Sequence, residues 1–268
     1  RGLIDWQIAS GTDGLVPCGT TGESATLSHE EHDRVVEVCV DAAAGRVPVI
    51  AGAGSNSTRE ALRLTRHARD AGADGALLIT PSYTKPTQEG LYRHYSTIAA
   101  EVDIPIVMYN VPSRTGTNLL PATIARLAET ANIAAVKEAT ADMRQVSEII
   151  RLCGDRVAVL SGDDFTVLPL LEVGGKGVIS VVSNVAPAEM AGLVDSFAAG
   201  DHDKARDHHY RLLPLSDAMF LETNPIPVKT ALGLMGKLGA ELRLPLSPMM
   251  PAAKELLEKA LREGGLLG

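Results

Sequence analysis

The chain has 268 residues, with 25 lysines and arginines against 33 aspartates and glutamates, and a net charge of -8 at pH 7. This acidic balance, with no basic cluster in any segment, argues against a nucleic-acid partner. Hydrophobic residues make up 45% of the chain, enough for one large core, yet no apolar run approaches the roughly 18 residues of a membrane span. No signal-peptide pattern opens the sequence, so we expect a cytoplasmic protein without a membrane partner.

The three cysteines are Cys18, Cys39 and Cys153. They lie in apolar surroundings, and no Cys-x-x-Cys or Cys/His spacing connects them. We therefore expect free thiols that pack as small core residues in a reducing compartment. The sequence gives no reason to expect a metal site or a cofactor.

Short β-rich segments alternate with longer amphipathic ones, which is typical of βα units around a parallel sheet. The amphipathic segment 28–43 begins with Ser28 as the predicted N-cap and Glu31 as its capping-box partner. The predicted strands are seven in number and cover residues 13–19, 47–53, 75–80, 104–110, 133–139, 157–162 and 177–182. The pattern predicts a TIM (β/α)8 barrel.

A closed barrel of this kind has eight strands, one more than the seven segments. Residues 1–11 read as the end of a helix closed by Gly11, and in a βα succession a strand precedes each helix. We therefore expect the first strand and its loop to be missing from this chain, as part of a leader of roughly two dozen residues.

Helical patterns alone follow residue 186, with breaks at Gly200, near Asn224 and Pro225, and over 245–251. We expect one domain, in which 1–185 form the barrel without strand one. Residues 186–268 are then the last barrel helix and a C-terminal helical extension of the same domain.

Lys137 stands in the apolar strand 133–139, where a lysine is uncommon unless it is compensated. Strand alternation places Lys137 on the same side as Ala135 and opposite Val136 and Glu138. One interpretation is a structural ion pair with Glu138 or Asp142. The other is a desolvated amine of lowered pKa, which could attack a ketone and form a Schiff base.

Other polar residues follow neighbouring strands. Tyr109 could carry protons, Thr20 and Thr21 offer hydroxyls in a glycine-flanked loop, and Arg114 could grip a carboxylate. Each alone is also compatible with an ordinary packed tyrosine, a turn or an exposed arginine. The segment 174–180, "GGKGVIS", could instead indicate a barrel phosphate site, but no second basic loop supports it.

The segments "GTTGESATL", "YNVPSRTG", "VKEAT", "SGDD", "GVISV" and "NPIPVK" occur in this order along the whole chain. In combination they resemble the dihydrodipicolinate synthase family, which belongs to the class I aldolases that form a Schiff base with pyruvate. The resemblance implies that the chain is an enzyme of lysine biosynthesis by the diaminopimelate route. It would condense pyruvate with L-aspartate 4-semialdehyde, both small-molecule partners.

Matching the motifs residue by residue implies that Lys137 forms the Schiff base and that Tyr109 is the proton donor and acceptor. Thr20 would connect Tyr109 to Tyr83 in a proton relay, with Tyr83 supplied by a neighbouring subunit. The resemblance therefore implies a homo-oligomer, usually a tetramer built as a dimer of dimers.

The same matching implies that Thr21 and the backbone at Ile179 hold pyruvate, and that Gly162 lines the pocket. Arg114 would hold the carboxylate of the semialdehyde. The related sialic acid and keto-deoxy-sugar acid aldolases typically lack this arginine. Those lyases and a non-catalytic homologue that binds pyruvate or lysine remain the alternatives.

Some family members are inhibited by lysine bound at the dimer interface. The matching positions here are Ser24, Ala25, His29, His32, Asn56 and Glu60. The positions of His29 and His32 on the predicted helix are also those of two solvated histidines on one helix face. Ser82 stands where the family often has a tyrosine, which removes an aromatic contact from that interface.

Overall fold

The structure is a computed structural model that describes residues 1–268. Twelve α-helices and six β-strands alternate along the chain until the last strand, after which all elements are helical. The strands are β1 Ile50–Gly52, β2 Gly75–Ile79, β3 Ile106–Asn110, β4 Ile133–Glu138, β5 Ala158–Ser161 and β6 Gly177–Val178. The helices are α1 Gly2–Ala9, α2 His29–Ala43, α3 Thr58–Asp70, α4 Gln88–Glu101, α5 Pro112–Thr115, α6 Pro121–Leu127, α7 Met143–Cys153, α8 Val167–Glu172, α9 Pro187–Ala198, α10 His202–Ala218, α11 Ile226–Leu234 and α12 Pro251–Glu263.

All six strands are parallel and pair in chain order, from β1 to β6, in one sheet. Strands β2 and β3 are buried almost throughout, as expected for parallel strands covered on both faces. The predicted parallel α/β fold is confirmed.

The two faces of the sheet have different neighbours. Leu78, Met108 and Val136 belong to the largest hydrophobic cluster, which includes residues of α2, α3, α4, α6 and α7. Leu77, Val107, Tyr109 and Ala135 form a smaller cluster of their own. We call the face that carries this smaller cluster the inner face.

Three predicted strands are much shorter than expected. Of residues 47–53, only Ile50–Gly52 are strand. Of residues 13–19, only Leu15 forms a bridge, with Val49, because Pro17 has no N–H to donate and turns follow directly. Of residues 177–182, only Gly177 and Val178 are strand. The N–H groups of Val181 and Val182 donate instead to the carboxylate of Asp164.

The predicted helix signals near the N-terminus are confirmed. Helix α1 ends at Ala9, and Gly11 follows with a φ of +91°, a conformation suited to glycine. Helix α2 has the full capping box, in which the Ser28 hydroxyl accepts from the Glu31 N–H and the Glu31 carboxylate accepts from the Ser28 N–H.

Helices α9 to α12 pack around a second large hydrophobic cluster, and Leu3 and Trp6 of α1 lie against it. The three cysteines are buried and free. Burial raises the pKa of Cys18 to about 12 and of Cys39 to about 11, so these thiols stay protonated at neutral pH. None of the helices combines the length and the apolar character that crossing a bilayer requires.

Candidate active site

The inner face carries Lys137. In the strand register, Lys137 of β4 lies between Tyr109 of β3 and Leu160 of β5. Only 9% of Lys137 is exposed, and its Nζ lies 4.3 Å from the centre of the Tyr109 ring. The predicted alternation is confirmed, since Lys137 and Tyr109 share the face of Ala135.

The ion-pair interpretation of Lys137 is wrong. The Glu138 carboxylate is buried on the opposite face and accepts from the side-chain amides of Asn110 and Gln145. Asp142 caps α7 by accepting from the backbone N–H groups of Arg144 and Gln145. Neither carboxylate compensates the lysine.

Burial lowers the pKa of Lys137 from 10.5 to about 8, and Arg114 adds to this effect while Asp164 opposes it. At pH 7 this change raises the fraction of neutral amine from about 0.03% to about 10%, roughly 300-fold. A buried amine in this state is a nucleophile near neutral pH.

Tyr109 is a proton-carrying group beside this amine. Burial raises the pKa of the Tyr109 phenol, and the Thr20 side chain and Arg114 offset part of that rise. The phenol is therefore protonated at neutral pH and can donate a proton next to Nζ. The structure places Thr20, Tyr109 and Lys137 along the wall of one cavity.

Gly162 provides the space for the lysine side chain. It follows β5 directly, and its N–H donates to the Glu138 carbonyl at 2.7 Å. A Cβ at Gly162 would lie 2.9 Å from Lys137 Cε and 2.7 Å from Ala139 Cβ. Both distances are shorter than normal carbon contacts, so the absence of a side chain at Gly162 is a requirement of this arrangement.

Thr21 and Arg114 are connected through Asn224, which is buried. The Asn224 side-chain amide donates to the Thr21 hydroxyl at 3.1 Å, and the Arg114 guanidinium donates to the Asn224 carbonyl at 3.2 Å. Arg114 lies in the short helix α5, which Gly116 closes with a φ of +71°. The two groups suited to a carboxylate are thus held by one residue.

Glu23 fixes the loop that carries Thr20 and Thr21. Its carboxylate forms a salt bridge with Lys229 and accepts from the backbone N–H of Arg243 at 2.8 Å. Burial alone would raise the pKa of Glu23, but these two partners more than offset it and lower the pKa. The loop is therefore anchored to α11 and to the segment that precedes α12.

Ile179 also borders the cavity. Its N–H donates to the Ser161 carbonyl at 2.8 Å, so only its own carbonyl is left for a ligand. Tyr83 lies elsewhere, in the loop after β2, and is 90% exposed. Within one chain the structure does not bring Tyr83 to Lys137.

The cavity has a volume of about 1140 Å³ and extends from Lys137 to Leu3 and Ile4 of α1. The cavity is therefore much larger than the space around Lys137 alone. The part of the cavity that can support catalysis is the part lined by Lys137, Tyr109, Thr20 and Arg114.

The six positions matched to a lysine site lie outside that cavity. His29 of α2 and Glu60 of α3 form a hydrogen bond of 2.7 Å. His32 is buried, so the expectation of two solvated histidines on one helix face is wrong for His32. Burial lowers the pKa of His32, which keeps it neutral at pH 7. Ser24 and Ala25 begin a 3-10 turn before α2, and Asn56 precedes α3.

The pattern of the dihydrodipicolinate synthetase family matches residues 1–264 of the sequence. A curated 4-hydroxy-tetrahydrodipicolinate synthase of Syntrophus aciditrophicus is 61% identical over 268 residues, which cover 100% of this chain and 92% of the relative. This chain belongs to the dihydrodipicolinate synthetase family.

Solved structures of the family share the fold. The dihydrodipicolinate synthase of Acinetobacter baumannii, a chloride-inhibited form complexed with pyruvate, superposes with a TM-score of 0.97 at 46% identity, covering 99% of this chain and 91% of that one. The enzyme of Cyanidioschyzon merolae with lysine bound gives a TM-score of 0.95 at 41% identity, with coverage of 99% and 90%.

Sequence reasoning missed Asn224, Glu23, Lys229 and Asp164 as parts of the site. All four lie within the segments "GTTGESATL", "SGDD" and "NPIPVK" that carry the family resemblance. Their contacts connect residues far apart in sequence, up to 220 positions for Glu23 and Arg243. The only available signal was the presence of polar residues in those segments.

Proposed function

We propose that this protein is a lyase with 4-hydroxy-tetrahydrodipicolinate synthase activity, condensing pyruvate with L-aspartate 4-semialdehyde. The observation that carries the proposal is the buried amine of Lys137, with a pKa of about 8, beside the Tyr109 phenol. Membership of the family over nearly the whole chain supports the choice of substrates.

The reaction begins when the neutral Nζ of Lys137 attacks the ketone carbon of pyruvate. One proton from Nζ and one from the Tyr109 phenol pass to the ketone oxygen, which leaves as water when the protonated iminium forms. The iminium withdraws electrons and acidifies the pyruvate methyl group. The Tyr109 phenolate takes a methyl proton to give an enamine, whose carbon adds to the aldehyde of the second substrate, and the aldehyde oxygen takes that proton from Tyr109.

Thr21 and Arg114 are the groups suited to the substrate carboxylates. We assign Thr21 to pyruvate and Arg114 to the semialdehyde, because the Arg114 guanidinium offers several donors and Asn224 orients it. The free carbonyl of Ile179 is an acceptor, so in this assignment it accepts from the N–H of the protonated iminium between Lys137 and pyruvate and does not bind a carboxylate. Gly162 lines the same pocket.

The proton relay needs a second chain. Tyr83 is exposed, which is compatible with insertion into the site of a neighbouring copy, where it would meet Thr20. We therefore propose a homo-oligomer, a dimer of dimers, in the cytoplasm. A lysine effector would use Ser24, Ala25, His29, His32, Asn56 and Glu60, where His29 and Glu60 already form a polar pair.

We also propose that the sheet and the Leu15 segment belong to an eight-stranded (β/α)8 barrel. The consecutive parallel order and the inner-face cluster support this assignment. Residues 1–185 then form the barrel, and 186–268 form its last helix and a C-terminal helical extension of the same domain.

Borohydride reduction in the presence of pyruvate tests the proposal. We expect a stable pyruvate adduct on Lys137, found by peptide mass spectrometry, and its loss in Lys137→Ala. Lys254 lies on α12 and its side chain is about half-exposed. Lys254→Ala is therefore the matched control, and this variant should keep the adduct on Lys137. No adduct on the wild-type protein would refute the assignment.

A second assay separates the synthase from its alternatives. The protein is offered pyruvate with aspartate semialdehyde, and separately N-acetylneuraminate or keto-deoxy-gluconate. Condensation without cleavage supports the proposal. Cleavage of the sugar acids would identify an aldolase of that type, and adduct formation without any turnover would indicate a non-catalytic homologue.

A further inference from the structure

Asp164 is a buried carboxylate that the reaction as proposed above does not use. It lies three residues beyond β5, at the start of a 3-10 turn, and is 4% exposed. Its Oδ2 accepts from the backbone N–H groups of Val181 and Val182, both at 3.0 Å. Its Oδ1 is buried and accepts no hydrogen bond of normal geometry, although the Ser180 side chain is near enough to help lower the pKa of the carboxylate. An unsatisfied buried polar atom costs about 1–3 kcal/mol, so this one requires an explanation.

The contacts of Asp164 place it behind the wall of the site at Lys137. Gly162, two residues earlier, is in contact with the Lys137 side chain. The N–H groups that bind Asp164 follow Ile179 by two and three residues, on the next strand end along the sheet. The carboxylate therefore ties the ends of β5 and β6 together on the side of Lys137.

The electrostatic interaction between the two groups is mutual. Burial raises the pKa of Asp164, and its hydrogen bonds and the nearby Lys137 offset part of that rise, while Asp164 in turn raises the pKa of Lys137 against the effect of burial. The groups that face Lys137 are Tyr109 of β3, Arg114 of α5 and Asp164. Arg114 has the same charge as the protonated amine, so Asp164 is the one of the three whose charge favours a cation on Lys137.

We propose that Asp164 is a positioning residue whose charge stabilises the iminium cation formed on Lys137, while its hydrogen bonds hold the turn after β6 in place. This inference rests on the proposed Schiff-base function. The free amine must be neutral to attack, and a nearby carboxylate opposes that state. The iminium is a cation that lasts through the later steps, and in a buried site the same carboxylate favours it.

Asp164→Asn tests the inference. The asparagine oxygen can still accept from Val181 and Val182, while the change removes the charge and places an amide NH2 where the other carboxylate oxygen was. The control is Asp142→Asn, because Asp142 also accepts from two backbone N–H groups but lies in an exposed cap of α7. Competitive acetylation of Lys137 as a function of pH, read by peptide mass spectrometry, reports its titration without any need for pyruvate.

We expect the acetylation midpoint of Asp164→Asn to fall by about one pH unit, and the dissociation constant of the pyruvate adduct to rise about tenfold. Asp142→Asn should match the wild-type protein in both measurements. An unchanged midpoint in folded Asp164→Asn would overturn the inference, even if activity fell, because the role would then be structural.

If Asp164→Asn does not fold, Asp164→Glu tests the role of the charge instead. It keeps the charge, so its acetylation midpoint should stay near that of the wild-type protein, and a midpoint one unit lower would overturn the inference. Failure of the proposed function is distinguishable, because it would appear as no pyruvate adduct in the wild-type protein while the midpoints still reported on Asp164.

Discussion

Replacement of Gly162 by alanine tests how the fold accommodates Lys137. The new Cβ would lie 2.9 Å from Lys137 Cε, 3.1 Å from Lys137 Cγ and 2.7 Å from Ala139 Cβ. Carbon atoms in normal contact are about 3.5–4.0 Å apart, so the methyl group overlaps with both neighbours by roughly 1 Å. The φ of Gly162 is not in the left-handed region, so the effect is steric and does not arise from backbone strain.

The two overlaps have different consequences. The Lys137 side chain can rotate away, but the Ala139 methyl group moves only with its backbone. Overpacking of this kind destabilises by about 1–3 kcal/mol, which for a chain of this size lowers Tm by about 2–4 °C per kcal/mol. A displacement of Nζ by about 1 Å should slow adduct formation about 100-fold.

The assay is the rate of borohydride-trapped adduct formation with pyruvate at a fixed pH, measured together with the thermal denaturation midpoint. Gly14→Ala is the control, because a Cβ there would meet only Pro48, at 3.4 and 3.6 Å. If Gly162→Ala traps pyruvate at the wild-type rate with an unchanged Tm, then Lys137 does not depend on the space at Gly162 and the reasoning fails.

Three further predictions concern the same site. The rate of adduct formation should rise as the pH is raised through about 8, because only the neutral amine of Lys137 attacks, and a flat profile from about pH 7 to 9 would contradict this. Asn224→Ala should raise the KM for pyruvate about fivefold through loss of the Thr21 contact, roughly 1 kcal/mol; steady-state kinetics that show an unchanged KM would remove Asn224 from the site. Glu23→Gln should destabilise the fold at neutral pH by about 1 kcal/mol. Because the folded-state pKa of Glu23 is lowered from 4.5, its carboxylate contributes fully above 4.5 and this contribution is lost as the pH falls through the lower folded value. Urea denaturation of both proteins should therefore converge in acid, and a difference independent of pH would argue against a role of the charge.

The centre of the site could be predicted from sequence because it depends on local rules. Strand alternation with period two places Lys137 and Ala135 on one face, and the order of parallel strands makes Tyr109 its neighbour. The capping box at Ser28 is a contact over three residues. Such features need only the residues on either side, which a single sequence supplies.

The remaining parts of the site depend on contacts that local rules do not contain. Asn224 reaches Thr21 across 203 positions, and no periodicity connects two such segments. The shortness of β6 also results from a contact that local rules do not contain. The N–H groups of Val181 and Val182, in its predicted continuation, donate to the Asp164 side chain that follows β5. Strand propensity could not foresee that competition. A residue that acts on a neighbouring chain, as we propose for Tyr83, leaves only an exposed side chain in its own.

Strand β4 carries two ionisable groups back to back, and burial shifts both toward their neutral forms. It lowers the pKa of Lys137 on the inner face and raises the pKa of Glu138, which is 2% exposed, on the helix-facing side. The two pKa shifts have different consequences. A neutral amine is a nucleophile, whereas Glu138 is held by donors, including the side-chain amides of Asn110 and Gln145. Asn110 directly follows Tyr109 and pairs with Glu138 in the register. The amide contact therefore ties β3 to β4 one residue beyond Tyr109 and Lys137, on the face of the sheet opposite these two side chains.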